Sequence, residues 1–207
     1  MNIKTFLLVV SAAFLGWSIS HASVTSIPTW NSSGGIYCTA NLNEADQTAT
    51  VNGNQWGGSG AMGLTLLTDT TTDPILTINE SINNTSSFAW TQYIINVAMN
   101  ENFSINSAGV IAPSGWTANI TAPSGPDING NYIGTIDYVG GAPVAVNGLF
   151  DFGYVIQFSG LTQYTLTESV TAVPEPGAFA LLMAGGLLVS GGLVAKRRQA
   201  KLLRVRA

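Results

Sequence analysis

The chain has 207 residues, with 7 Lys and Arg against 11 Asp and Glu, for a formal net charge of −4. The charges are unevenly spread: residues 23–172 hold ten acids and one cysteine, but no Lys, Arg or His. That segment cannot build Ser–His, Cys–His or Ser–Lys nucleophile systems or a zinc site from N/S ligands. It lacks the lysine of a phosphate-cradling loop and, at a formal charge of −10, repels nucleic acid.

Residues 1–22 have the form of a secretory signal peptide. Lys4 precedes an apolar run from Phe6 to Trp17, and Ser20-His21-Ala22 puts small residues at the −3 and −1 positions of a cleavage site. His21, the single histidine, leaves with that segment.

Residues 23–172 are rich in Gly, Ser, Thr and Asn and show alternation rather than a helical period. Strands are expected at Gly35–Asn41, Thr48–Asn52, Gly63–Thr68, Trp116–Thr121, Tyr132–Val139 and Tyr164–Thr171. Between the second and third of these, Gly57-Gly58-Ser59-Gly60 reads as a flexible turn. Pro74 to Asn100 reads as a hairpin, with Leu76, Ile78 and Ile82 on one face, a turn at Asn83–Ser87, then Tyr93, Ile95, Val97 and Met99 on one face. Asn147 to Phe158 gives the clearest pattern: Phe150, Phe152, Tyr154, Ile156 and Phe158 share a face, opposite Leu149, Asp151 and Val155. Gly, Asn and Pro turns separate these runs. The expected fold is an all-β antiparallel β-sandwich of jelly-roll or immunoglobulin-like type.

Two chemistries remain open to such a domain. A carboxylate pair for glycoside hydrolysis would come from Glu44, Asp46, Asp137 and Asp151, though no motif positions a pair, and each reads more simply as a solvated acid. Calcium needs only oxygen ligands, and Asp127, Asn129 and Asn131 offer them at alternate positions. Tyr132 and Tyr138 stand where an EF-hand loop needs Gly and Glu. The Asp69–Asp73 loop is a second acidic candidate. Cys38, in an apolar strand, reads as a buried small hydrophobe. Sugar rings pack on flat aromatic faces. Trp56, between polar and glycine residues, is the foremost candidate for such stacking, with Trp30 and Trp116 next.

Residues 173–207 gather six of the seven basic residues. Val173-Pro174-Glu175-Pro176 holds the chain extended. Gly177–Ala195 is uncharged over nineteen residues; as a helix it would be roughly 28 Å long, against about 30 Å of hydrocarbon core. Lys196, Arg197 and Arg198 then open a basic tail (196–207) that stays on the cytoplasmic side. A transmembrane helix with its ectodomain outside the cytoplasm is expected. These parts, in this order, resemble the PEP-CTERM sorting signal of Gram-negative bacteria, and the resemblance is confined to residues 173–207. It implies export across the inner membrane, transient anchoring, and recognition by exosortase, a membrane transpeptidase that cuts near the motif. It also implies association with exopolysaccharide or biofilm. The expected function is therefore that of an exported, non-enzymatic surface or matrix protein. The alternatives are a carbohydrate-active enzyme using two carboxylates and a simple anchored adhesin.

Overall fold

The computed structural model describes residues 22–177. Residues 1–21 of the expected signal peptide lie outside the described residues, as do the membrane span beyond Gly177 and the basic cluster Lys196, Arg197 and Arg198. No helix among the described residues is long and apolar enough to cross a membrane.

The fold is all-β. Nine strands follow in chain order: β1 (Val24–Asn43), β2 (Thr48–Thr68), β3 (Ile75–Asn84), β4 (Trp90–Met99), β5 (Phe103–Ile111), β6 (Thr117–Ser124), β7 (Tyr132–Val144), β8 (Leu149–Phe158) and β9 (Gln163–Pro174). Period-two alternation accounts for most of them, because one face is buried and the other wet. In β3, β8 and β9 buried and accessible residues alternate almost without exception. The expected inward sets of β4 and β8 are all buried.

The strands form one mixed sheet in the order β5-β8-β3-β2-β9-β4-β7-β6, with β1 paired along β2. The two long strands give the sheet its shape. The first part of β2 (48–55) bonds β3, its second part (59–67) bonds β9, and β1 follows both. The switch of partner falls at a glycine-rich bend. Ile36 pairs Gln55 and Gly34 pairs Gly60, so Trp56, Gly57, Gly58 and Ser59 of β2 stand opposite Gly35 alone. The segment 57–60, expected to be a flexible turn between strands, is instead a bulge inside one continuous strand. Bulges bend strands, and this one helps to curl the mixed sheet into a nearly closed, barrel-like form in which its two flanks face each other and the end strands β5 and β6 come together.

Rings packed between the flanks mark the core. Tyr93 of β4 lies 4.9 Å from Phe150 and 5.6 Å from Phe152 of β8, centroid to centroid. Tyr138 of β7 reaches the same two rings at 5.7 and 5.3 Å. Burying each such side chain stabilises the fold by about 1.5–3 kcal/mol, and each ring pair adds about 0.5–1.5 kcal/mol.

Two further expectations are corrected. The sheet is not wholly antiparallel, because β2 and β3 run parallel. The stretch 74–100 is not a hairpin: β3 pairs β2 and β8, whereas β4 pairs β7 and β9. Its Asn-rich turn crosses between the flanks and is itself anchored inside. Buried Asn84 donates through Nδ2 to the carbonyls of Phe88 (2.9 Å) and Val144 (3.0 Å), and its Oδ1 accepts from the Ser86 hydroxyl (2.6 Å). An arch replaces a hairpin because its polar groups find partners in the interior rather than in water.

Candidate functional site

The outward face of β1, β2, β3 and β8 carries an ordered array of polar side chains. Strand register sets it out in rows. Tyr37 pairs Asn54, Asn54 pairs Asn83, and Asn83 pairs Leu149. The next row runs Thr39, Asn52, Ser81, Asp151, and the third Asn41, Thr50, Asn79, Gly153. Neighbours across strands stand about 4.8 Å apart, and successive outward residues along a strand about 6.6 Å apart. Tyr37 is 59% exposed and Leu149 62%. The Ser81 hydroxyl donates to Asp151 Oδ1 at 2.5 Å, and Asn83 Nδ2 to Asn54 Oδ1 at 3.3 Å. The amide oxygens of Asn79 and Asn83 accept from no donor among the described residues. Two shallow concavities lie on this face, of about 510 Å³ beside Tyr37 and Leu149 and about 340 Å³ toward Ile111, and they share Ser81.

Directly beneath this face lies a second feature, which sequence reasoning missed. Glu80 of β3 and Glu168 of β9 are both buried, from opposite flanks, with no cation among the described residues to pair them. The Tyr154 hydroxyl donates to Glu168 Oε1 at 2.5 Å. Neither Glu80 oxygen nor Glu168 Oε2 has a donor from any other group, and the two carboxyls are neighbours. Burial raises Glu80 well above the usual carboxylate range, and the adjacent Glu168 raises it further by charge and hydrogen bonding. Burial also raises Glu168, while hydrogen bonds from Glu80 and Tyr154 oppose the rise. Both carboxyls are therefore biased toward the neutral, protonated form. The Cys38 thiol is pushed up to about 12 by burial and by these two acids, which makes it an inert, buried thiol. The signal for this pair was present in the sequence: each acid occupies an inward position of an alternating strand, Leu76-Ile78-Glu80-Ile82 and Tyr164-Leu166-Glu168-Val170.

The acids expected to offer a hydrolytic pair are not brought together. Glu44 and Asp46 sit in the turn after β1, where Asp46 accepts from Asn43 Nδ2 at 2.6 Å. Asp137 is on β7, accepting from Gln92 Nε2 at 2.8 Å, and Asp151 is on β8 in the other flank. Asp127 Oδ1 accepts the backbone N–H groups of Asn129 (2.8 Å) and Asn131 (2.9 Å), which close the loop before β7. Hydrogen bonds from Asn131, then Asn129 and Gly130, hold its carboxyl below the usual range. No cluster of three or more His, Cys, Asp or Glu suited to a metal is found among the described residues.

Among the tryptophans, Trp56 opens the bulge and is 53% exposed. Trp30 is half-buried, its indole N–H donating to the Cys38 carbonyl at 2.6 Å. Trp116 is only 9% exposed; it stands edge-on to Phe150 and donates to the Ala142 carbonyl at 3.1 Å. Trp56 thus offers a free ring, Trp116 does not, and Tyr37, which sequence reasoning passed over, offers another.

A scan against protein-family models finds no match for this chain, and a search of curated proteins finds no similar sequence.

Proposed function

We propose that this is an exported, non-enzymatic protein of the cell surface or extracellular matrix, sorted through a C-terminal PEP-CTERM signal and associated with exopolysaccharide. The observation that carries the reading is the order of parts in the tail: Val173-Pro174-Glu175-Pro176, an uncharged span, then Lys196-Arg197-Arg198. Exosortase is the processing partner that the resemblance implies. The folded-over sheet is read as a β-sandwich of the broad jelly-roll or immunoglobulin kind, standing outside the cytoplasm above a transmembrane helix. The absence of Lys, Arg and His from residues 23–172 supports a binding role over nucleophilic catalysis.

The position of the motif sharpens the expectation. Val173 and Pro174 are the last residues of β9, opposite Gln92 and Trp90 of β4, and the Glu175 N–H donates to the Ala89 carbonyl at 3.3 Å. A cut after Pro174 leaves β9 whole, whereas an earlier cut removes part of its pairing with β4. The intact mass of the protein from cells, medium and matrix should correspond to a chain from Ser23 to a residue between Pro174 and Gly177, with or without an added group. Trypsin is unsuitable for mapping the end, since residues 23–172 contain no site for it. A mass running from Ser23 to Ala207, found in the membrane fraction alone, would overturn the sorting reading and leave an anchored adhesin.

A further inference from the structure

We propose that the outward face of β1, β2, β3 and β8 binds a neutral, hydroxyl-rich polysaccharide laid across the strands. This inference rests on the surface or matrix reading above and names the ligand class and the residues that take it.

Charge selects the class. The three rows contain one charged side chain, Asp151, already engaged by Ser81. No Lys, Arg or His occurs anywhere in residues 23–172 to attract a carboxylated or sulfated polymer, and the acids on its surface repel one. The face has nothing to offer a phosphate backbone.

Polar chemistry narrows it further. Thr39, Asn52, Asn54, Ser81 and Asn83 stand side by side, and every one of them can both donate and accept. A sugar hydroxyl does the same, so paired amides and hydroxyls at regular spacing suit it. A protein partner fits poorly: protein interfaces concentrate apolar and aromatic residues at the centre and polar ones at the rim. Here the arrangement is inverted, with amides in the middle and Tyr37, Leu149 and Ile111 at the ends.

Shape is consistent with a chain rather than a single sugar. The two concavities meet at Ser81, which makes one track from Tyr37 on β1 to Ile111 on β5, across five strands. At its start, Tyr37 presents a largely free ring on which the C–H face of a sugar can rest.

Affinity electrophoresis tests this with the full chain in non-ionic detergent. Gels are cast with a mixed-linkage β-glucan, a galactomannan, dextran or, as the acidic polymer, alginate. At least one neutral polymer should retard the protein and alginate should not. Tyr37→Ala should weaken retardation about tenfold, and Asn52→Ala should also weaken it. Ile128→Ala, an exposed apolar residue on the loop before β7, should leave it unchanged. Because Tyr37 and Asn52 are exposed, neither variant threatens folding. The proposal falls if no neutral polymer retards the protein, if alginate retards it as well as they do, or if both variants bind as the parent does. Failure here, with a trimmed C-terminus still found in the matrix, would leave the sorting reading standing. Retardation by a neutral glycan, with an untrimmed membrane-bound chain, would do the reverse.

Discussion

The folded domain should lose stability as pH rises from about 5 to 8, and Glu80→Gln should remove most of that loss. The reason is the buried pair. Both carboxyls have folded-state pKa values above those of the unfolded chain, chiefly because burial disfavours the charged form. A group with a raised folded pKa stabilises fully below its unfolded pKa, about 4.3 for Glu, and that contribution is lost as pH climbs toward the folded value. Each pH unit over which the folded chain holds one proton more than the unfolded chain costs about 1.4 kcal/mol. No neighbour offsets this. The titratable groups facing the pair are Cys38 from β1, Tyr93 from β4, Tyr138 from β7 and Tyr154 from β8, and all are raised by burial and by these acids. All four are neutral over this range. The amide introduced by Glu80→Gln keeps a donor toward Glu168 and has no proton to lose. Glu168, with donors from that amide and from Tyr154, can then ionise at less cost. Denaturant unfolding at pH 5, 6.5 and 8, followed by tryptophan fluorescence, measures both chains. Stability that is level or rising with pH in the parent would show that the pair does not share a proton, and an equal slope in the variant would show that Glu80 does not hold it.

The same pair shows what the sequence made legible and what it did not. Alternation placed Phe150, Phe152, Tyr154, Ile156 and Phe158 on one face correctly, because a half-buried strand writes its burial into every second residue. The identical rule put Glu80 and Glu168 inside, yet an acid amid apolar neighbours reads as solvent-facing until a partner across the core is known, and that partner is 88 positions away. β5 escaped notice because burial along it is irregular and Asn106 to Ile111 slips in register against β8. The rows of the candidate face were illegible for a different reason. Thr39, Asn52, Ser81 and Asp151 come from four strands, and only register brings them into line. Composition announced many amides and hydroxyls, but their spacing belongs to the fold.

Gly35→Ala should destabilise the protein by about 3 kcal/mol, while Gly58→Ala should change stability by less than about 0.5 kcal/mol. Both glycines lie at the bend where β2 exchanges β3 for β9, but they meet different surroundings. A Cβ on Gly35 would stand 2.5 Å from the Cα of Gly57 and 2.7 Å from the carbonyl oxygen of Ser59, and both of those are backbone atoms. Neither can turn aside as a side chain could. Relief requires β1 and β2 to part at the bulge, and the bulge is tied to the core: Gln55 Nε2 donates to the Gly57 carbonyl at 3.1 Å, and Gln55 Oε1 accepts from the buried Tyr93 hydroxyl at 2.7 Å. Moving the bend therefore strains a buried hydrogen-bonded link as well as the backbone. A Cβ on Gly58 would find nothing nearer than 3.9 Å, from the Ala172 carbonyl and the Phe88 ring, which is ordinary contact. Urea midpoints of the two variants against the parent decide the matter. Equal, small losses would mean that the strands have room at the crossing and that the fold-over does not depend on close backbone approach. A large loss at Gly35 alone would make glycine there a requirement of the fold. It would tie the candidate face to the same requirement, because Tyr37 and Asn54, which open its first row, stand two residues from the bend.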